Sequence, residues 1–442
     1  MPILPSSPAP APATEPGLVL KPFRGVRYAE DRVSGLAKVT SPPYDVIAAD
    51  IEDQLMAADP HNVVRLILPR PVPGQAGSPY EDAAAELGGW LSDGILAADN
   101  APALYVYEQA VSPERVLQRG LIGALGLRPY ADRVILPHED TAPGPVAGRR
   151  QLMEAERANL EPIFLLYEDG NGSAARLIDH VADSRPPLAE AETADGLRHR
   201  LWAITDPAEL AAIAADLAPR TALIADGHHR YAAYLQLQDR ARHSGGGAGP
   251  WDYGLALLVD SAAYPPQLGP IHRVIDGLNT DAAVRLARPA FSVRELAGGT
   301  ADLGAALAEL AKAAGDGVAF LLTGRDRAYL LTDPDRSLLR SAVPDQPADL
   351  WQRLPGAVLE GLLLDRLWGI VDDDRSVRAV HDPAAAVQAA NADRGATAVL
   401  CNPMTVAQVR EVAALGRRVP RKSTSFGPKP RTGLVMRLFA ES

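Results

Sequence analysis

Cysteine is almost missing from this chain of 442 residues, and its scarcity excludes two kinds of site. Cys401 is the single cysteine, so neither a disulfide within the chain nor a cysteine-rich zinc site can form. We therefore expect Cys401 to be a small buried side chain without chemistry.

Long apolar runs are also missing. No run approaches the length that spans a bilayer, and the first residues, Met1–Pro5, lack the charged and then apolar pattern of a secretory signal. We expect a soluble cytoplasmic protein with no membrane partner.

Basic and aromatic residues are both in short supply. Lys and Arg number 44 against 55 Asp and Glu, which gives a net charge of −11. A protein that binds nucleic acid mainly through phosphates needs a basic face, so we do not expect a nucleic-acid partner. Aromatics make up 5% and hydrophobic residues 47%, so Leu, Val and Ala must fill the core.

The composition changes along the chain, and the changes predict its organisation. Residues 1–17 are mostly Pro, Ala and Ser, which predicts a disordered tail. Residues 18–275 mix strand and helix patterns and are predicted to form the core. Residues 276–380 are rich in Ala and Leu and predict a second α/β unit, and residues 381–442 are predicted to return a basic loop to the site. Strands and helices do not alternate strictly, so the fold class is α+β.

The hydrophobic periodicity predicts individual elements. Strands are predicted over 61–69, 104–107, 121–127, 163–167, 197–204, 221–225, 253–260 and 397–401. Helices are predicted over 80–93, 149–158, 207–217, 383–393 and 405–415, and from residue 228 onward.

The rest of the chain is organised around the stretch from Thr221 to Tyr234. An apolar strand pattern stops at Asp226-Gly227, and a helix pattern begins at His228. The N–H groups and the dipole of a helix start favour an anion, most often a phosphate. Arg230 adds a planar fork of donors that suits phosphate oxygens. The stretch therefore predicts a phosphate-binding turn.

Two resemblances follow from these residues. The run D-G-H-H-R-Y-A-A (226–233) resembles the G-x-x-R-(Y/W)-x-A box of the ParB/sulfiredoxin superfamily, in particular the D-G-H-x-R form of free-serine kinases. Five motifs also resemble, in the same order, those of domain-of-unknown-function family 1015 from about residue 20 onward. They are P-P-Y-D-V, N-V-V-R-L-I-L-P, L-P-H-E-x-T, A-D-G-H-H-R-Y and K-S-T-x-F-x-P-K…T-G-L-V.

The first resemblance implies a fold, a cofactor and roles for residues. It implies a ParB/sulfiredoxin-like mixed-sheet core that binds a nucleotide (ATP, ADP or CTP) with Mg²⁺. Asp226 would act near the metal or the acceptor hydroxyl, and His228 and Arg230 would contact phosphate. Sulfiredoxin chemistry is excluded, because His228 stands where that family has its catalytic cysteine.

Two further acidic residues follow apolar or proline-bounded segments. Glu139 comes after the predicted strand at Val134–Leu136 and could supply a general base or an oxygen ligand for Mg²⁺. The alternative is that Asp140 or Thr141 caps the next helix. Asp45 lies on a stiff Pro-Pro loop, and it could act chemically or cap the helix that follows.

A basic segment contrasts with the acidic chain. From Arg417 to Arg437 there are seven basic residues and no acidic one. The ammonium of Lys422 and the hydroxyls of Ser423 and Thr424 suit a phosphate. The alternative is that the segment is a solvated basic terminus. The predicted cofactor-binding residues are Gly227, His229, Arg230, Lys422, Ser423, Thr424, Lys429 and Arg65.

The adjacent histidines do not predict a zinc or iron site. Residues next to each other at a helix start point about 100° apart, so His228 and His229 do not suit one metal. A third ligand would have to come from His138 or His272. The predicted metal ligands are instead Asp226 and Glu139, with Mg²⁺.

These residues lead to one leading function and two alternatives. Asp226, Glu139 and His228 are the predicted catalytic residues of a nucleotide-dependent phosphotransferase for a small hydroxylated metabolite such as serine. One alternative is a ParB-like regulator that binds CTP or ATP, although no helix-turn-helix is evident. The other is a protein that binds a metabolite without turnover. The leading function predicts that the site residues line one cleft, and the sequence leaves the oligomeric state open.

Overall fold

The computed structural model describes residues 17–71, 77–169, 172–342, 348–373, 375–393 and 395–441. The predicted disordered tail lies outside the described residues except for Gly17. Among the described helices, none combines the length and the apolar character needed to cross a membrane.

The strands, in chain order, are β1 Leu20–Lys21, β2 Val26–Tyr28, β3 Leu96–Ala98, β4 Leu104–Ser112, β5 Arg115–Gly126, β6 Ile135–Leu136, β7 Ala158–Asn159, β8 Ile163–Tyr167, β9 Ala189–Glu192, β10 Arg198–Ile204, β11 Ala222–Asp226, β12 Tyr253–Asp260, β13 Gln267–Gly269, β14 His272–Ile275, β15 Ser292–Glu295, β16 Phe320–Gly324, β17 Arg327–Thr332, β18 Val377–Val380, β19 Thr397–Cys401, β20 Ser425–Gly427 and β21 Arg437–Leu438.

The α-helices are α1 Leu36–Val39, α2 Ala49–Ala58, α3 Val64–Ile67, α4 Pro79–Ser92, α5 Pro143–Glu156, α6 Ser173–Ser184, α7 Pro207–Leu217, α8 His228–His243, α9 Thr280–Ala287, α10 Leu303–Ala313, α11 Arg336–Ala342, α12 Ala348–Trp351, α13 Pro355–Val358, α14 Pro383–Ala392 and α15 Val406–Ala414. A π-helix, Leu359–Trp368, continues α13.

The larger sheet has nine strands in the order β6-β11-β8-β12-β5-β4-β10-β9, with β1 beside β5. The pairs β6/β11 and β8/β12 are parallel, whereas β8/β11 and β5/β12 are antiparallel. A mixed sheet with helices that do not alternate regularly confirms the predicted α+β class. The parallel pair β6/β11 is what matters for the site, because both strands end at the same edge.

The smaller sheet has six strands in the order β15-β17-β16-β19-β14-β18. It extends beyond the predicted bounds of 276–380, since β14 starts at His272 and β19 ends at Cys401. The Ala/Leu-rich composition predicted an α/β unit here but did not locate its strands. Strand β16 (Phe320–Gly324) is buried along its whole length, and in such a strand burial decides the structure more than local propensity does.

The predicted strand over 61–69 is wrong, because the chain forms the short helix α3 there. The Asn62 side chain accepts the Val64 N–H at 2.9 Å and donates to the Lys38 carbonyl at 2.7 Å, which starts a helical turn. Val64, Leu66 and Ile67 are all buried. A short apolar run does not distinguish a buried turn of helix from a buried strand.

Hydrophobic packing joins the two sheets. One cluster of buried side chains includes Leu255 and Leu257 of β12 together with Phe320 and Leu322 of β16. The C-terminal residues add a second connection, since β20 pairs with β13 and β21 pairs with β7. This segment also contacts the β6/β11 edge, where the Val419 N–H donates to the His138 carbonyl at 2.8 Å.

Candidate functional site at the β6/β11 edge

The β6/β11 edge presents the start of helix α8. Gly227 sits between β11 and α8 with a φ of 93°, a left-handed conformation that favours glycine. A Cβ at this position would lie 2.9 Å from Ile163 Cγ2 and 3.1 Å from Arg230 Nε. No side chain caps the helix, so its first N–H groups remain suited to an anion.

Arg230 lies beneath this turn and not on its surface. Its side chain is 0% exposed. It contacts Asp226 Oδ2, and its Nη1 donates to the Pro162 carbonyl at 2.7 Å. The neighbouring Asp226 and Glu161 raise the pKa of Arg230 against the effect of burial. Contact with phosphate, which the sequence predicts for Arg230, would require the guanidinium to leave these partners. In this geometry it positions Asp226.

Lys429 supplies the cation at the surface of the site. Its Nζ contacts Asp226 Oδ1 and lies 3.4 Å from Asp45 Oδ1. Burial alone would raise the pKa of Asp226, but Arg230 and Lys429 outweigh it and hold that pKa below its usual value. Asp226 is therefore a carboxylate shared between a buried guanidinium and an accessible ammonium.

Asp45 is a site residue that the sequence left undecided between chemistry and capping. The N-cap of α2 is Ala48, and no side chain caps that helix. Asp45 Oδ2 instead lies 4.0 Å from Arg230 Nη2. Glu161 fixes the loop by accepting the Tyr44 N–H at 3.0 Å. The Pro-Pro-Tyr-Asp loop was the available signal for Asp45, whereas nothing in the sequence pointed to Glu161.

Glu139 lies next to Thr424 of the C-terminal segment. The Thr424 hydroxyl donates to Glu139 Oε1 at 3.1 Å. Burial raises the pKa of Glu139 to about 7, the Thr424 hydrogen bond lowers it, and the charge of Asp226 raises it further. Glu139 can therefore exchange a proton near neutral pH, which suits a general base.

Burial lowers the pKa values of the three histidines of the site. The backbone N–H of His138 donates to His228 Nε2 at 3.3 Å. The two imidazole rings meet edge to face, with their centroids 4.5 Å apart. Burial lowers the pKa of His138 to about 4, and it lowers the pKa of His228 well below the usual value. His228 Nδ1 lies 3.9 Å from Glu139 Oε2. His229 faces the start of α5, where its Nε2 accepts the Ala142 N–H at 3.1 Å.

Two predicted site residues, Arg65 and Ser423, face other parts of the chain. Arg65 Nη2 donates to the Met56 carbonyl at 3.1 Å, which turns it back toward α2. The Ser423 hydroxyl faces Gly356 of α13, since a Cβ added there would meet Ser423 Oγ. Lys422 lies in the same segment with a left-handed φ of 53°. The structure thus gathers Asp226, Gly227, His228, Arg230, Glu139, Thr424 and Lys429 at one edge.

A metal held by protein groups alone does not fit this edge. Within the described parts of the chain, no three His, Cys, Asp or Glu side chains are grouped to hold an ion. Both oxygens of Asp226 already face cations. Mg²⁺ usually binds one or two carboxylates together with substrate phosphates, so Glu139 could serve only as part of such a set.

Comparisons with known proteins give a family and a few distant structures. A family model described as Protein of unknown function (DUF1015) matches residues 20–357. The comparison with curated proteins found no match.

Three solved structures represent the structural matches. SbnI with C-terminal truncation from Staphylococcus aureus is 10% identical, with a TM-score of 0.35 over 72% of this chain and 87% of its own. A free serine kinase mutant in complex with ADP is 13% identical, with a TM-score of 0.35 over 73% and 94%. A conserved hypothetical protein from Pyrococcus furiosus is 12% identical, with a TM-score of 0.34 over 73% and 97%. At such identities and TM-scores, the likeness carries no conclusion about activity.

Proposed function

Since the chain belongs to the family described as Protein of unknown function (DUF1015), whose description assigns no activity, we propose a function from the site itself. The protein is a nucleotide-dependent phosphotransferase that acts on a small hydroxylated metabolite such as serine. The observation that carries this proposal is the position of Lys429, whose ammonium lies at the uncapped start of α8 between the carboxylates of Asp226 and Asp45.

The nucleotide phosphates bind at the start of α8. The free N–H groups of the first turn and the Lys429 ammonium both attract phosphate oxygens. Gly227 permits the tight left-handed turn into α8, where a side chain would collide with Ile163 and Arg230. Asp226 and Asp45 hold Lys429 in place before the ligand arrives, and the buried Arg230 holds Asp226.

Transfer needs a group that accepts the proton of the acceptor hydroxyl. The hydroxyl oxygen forms a bond to the terminal phosphorus, and the bond from that phosphorus to the bridging oxygen breaks. The hydroxyl proton passes to Glu139, whose pKa of about 7 suits a base at neutral pH. Mg²⁺ would enter with the nucleotide, and the phosphates would supply most of its oxygen ligands.

The test separates binding from transfer. ATP, ADP and CTP are titrated with Mg²⁺ into the protein by calorimetry, and ³¹P NMR follows transfer to serine. Glu139→Gln should bind nucleotide like the parent and lose most of the transfer rate, because its amide cannot accept the proton. Absence of binding for all three nucleotides would overturn the proposal. Binding without transfer to any hydroxylated acceptor would favour the regulator alternative.

A further inference from the structure

A cavity adjoins the phosphate site proposed above and shares Lys429 with it. It has a volume of about 260 Å³, and Lys429 forms part of its lining together with Pro42, Pro43, Asp195 and Arg431. Pockets for drug-sized ligands usually measure roughly 300–1,000 Å³. This cavity is therefore sized for a ligand smaller than a nucleotide.

A chain of hydrogen bonds fixes two charged groups of this cavity. The backbone N–H of Arg431 donates to the Tyr107 hydroxyl at 3.1 Å, and this hydroxyl lies 2.8 Å from His199 Nδ1. His199 Nε2 lies 3.0 Å from Thr193 Oγ1, and the Thr193 hydroxyl donates to Asp195 Oδ1. The chain is continuous if His199 is neutral with its proton on Nε2. Asp195 and the backbone of Arg431 are thus held in place before any ligand binds.

The Arg431 guanidinium has no carboxylate partner within the described residues. Its Nε donates to Thr40 Oγ1 at 2.8 Å and its Nη2 to the Thr40 carbonyl at 2.9 Å. Burial lowers the pKa of Arg431, while the nearby Asp195 acts in the opposite direction. Among the described ion pairs, none joins Arg431 to Asp195. Besides Lys429, the cavity therefore presents a second cation, Arg431, and an anion, Asp195, that do not neutralise each other by contact.

We infer that this cavity binds a small zwitterion, a molecule that carries both a carboxylate and an ammonium group, as the phosphoryl acceptor. The ligand carboxylate pairs with Arg431, and its ammonium pairs with Asp195 through Oδ2, because Oδ1 already accepts from Thr193. A hydroxyl on the same molecule would then face Lys429, which lines this cavity and contacts Asp226. That this ligand is the phosphoryl acceptor rests on the proposed function, whereas its binding in the cavity does not.

The experiment compares three small probes. Serine carries a hydroxyl with both charges, glycerate lacks the ammonium, and ethanolamine lacks the carboxylate. Calorimetry with the full chain should show serine binding at least tenfold more tightly than the other two. Equal affinity for serine and glycerate, or no binding of serine with or without nucleotide, would overturn the inference.

Two variants make the test specific to the cavity. Asp195→Asn keeps an oxygen that accepts from Thr193 but removes the charge, so serine should fall to the affinity of glycerate. Glu192→Gln makes the same change of charge at an exposed position in the same hairpin, outside the cavity lining, and should bind serine like the parent. An Asp195→Asn variant that still prefers serine by tenfold would contradict the assignment.

Nucleotide titrations on the same proteins separate this inference from the proposed function. Serine binding without binding of ATP, ADP or CTP would defeat the proposed function and leave the zwitterion site standing. Nucleotide binding without serine binding would defeat the zwitterion site and leave the proposed function standing. Asp195→Asn should bind nucleotide like the parent, because Asp195 has no described contact with α8 or with Lys429.

Discussion

At the scale of single residues, the two cations of the site differ in what they can reach. Arg230 is 0% exposed and committed to Asp226 and Pro162, whereas the Lys429 side chain is 21% exposed. Both were predicted to bind a nucleotide, and only Lys429 is placed where a ligand can meet it. The two substitutions should therefore give different kinds of defect.

Lys429→Met should weaken nucleotide binding without unfolding the protein. Hydrogen bonds to charged groups are worth about 1.5–3 kcal/mol, which corresponds to an affinity loss of roughly one to two decades. Titration calorimetry with ADP measures the loss. Lys312→Met, on the exposed end of α10, is the control and should bind like the parent. An equal loss in both variants would contradict the role of Lys429.

Arg230→Met should destabilise the fold by about 3–5 kcal/mol, because it leaves buried acceptors without their donor. Urea unfolding measures the change in free energy. The same substitution at Arg294, whose side chain is 60% exposed and pairs with Glu309 at 2.6 Å, should cost less than about 1 kcal/mol. A small effect at Arg230 would mean that Asp226 does not depend on it.

His199 should make the folded protein sensitive to acid. Burial lowers its pKa from 6.5 to about 4, with Arg431 contributing, so the unfolded chain binds a proton more readily than the folded one in this range. The contribution of neutral His199 to the free energy of unfolding is therefore complete above about pH 6.5. It falls by up to roughly 3 kcal/mol as the pH drops toward 4.

The non-titrating variant His199→Gln isolates this effect. Urea unfolding from pH 7.5 to pH 4 should show the parent losing more stability than the variant, so that the difference between them shrinks with acid. Parallel curves for the two proteins would show that His199 does not titrate as the geometry implies.

At the scale of elements, the turn from β11 into α8 determines the site. Gly227→Ala should lower the free energy of unfolding by about 1–3 kcal/mol, because alanine is strained at this positive φ and its Cβ meets Ile163. Gly245 follows the other end of α8 with a φ of 79° and nothing within 4 Å of an added Cβ. Gly245→Ala should therefore show only the conformational cost, about 1 kcal/mol.

Nucleotide affinity provides the second comparison for these glycines. Gly227→Ala should also weaken ADP binding, since relief of the strain at this turn would shift the first N–H groups of α8. Gly245→Ala should leave ADP binding unchanged. Thermal denaturation and calorimetry on both variants check the two expectations. If Gly227→Ala bound ADP as tightly as the parent, the turn would not be part of the proposed phosphate site.

The same turn shows how far the sequence could go. The strand at 221–225, the glycine break and the helix from His228 were predicted, because apolar periodicity and a Gly are strong local signals. The burial of Arg230 was not, since its donors suit a phosphate and a carboxylate equally well. The spacing of Asp226 and Arg230, four residues apart, was a missed signal for an ion pair on a helix start.

Contacts between distant segments were the least predictable part of the site. The basic C-terminal loop was predicted to return to the site, but no local pattern gives the partner of Asp45 or the role of Glu161. Such contacts depend on how the strands pair, and the hydrophobic periodicity of a segment does not indicate which strand it pairs with.

At the scale of the whole molecule, the two sheets share buried side chains and should unfold together. Leu257 and Phe320 belong to one cluster although they lie in different sheets, so neither unit can open without exposing the other. Calorimetric unfolding should show one transition. Leu310→Ala, which removes a buried side chain in the smaller unit, should cost about 2–5 kcal/mol and shift that whole transition. Two separated transitions would contradict a shared core.

The distance along the chain between Asp226 and Lys429 has a consequence in time. These residues are 203 positions apart, and at roughly 5–20 residues per second the ribosome needs about 10–40 s to cover that interval. Throughout it, Asp226 has been made and its ammonium partner has not. A chain interrupted before residue 429 can form the β11–α8 turn but not the pair of cations around Asp226. The proposed phosphate site is thus complete only in a chain that has been synthesised through residue 429.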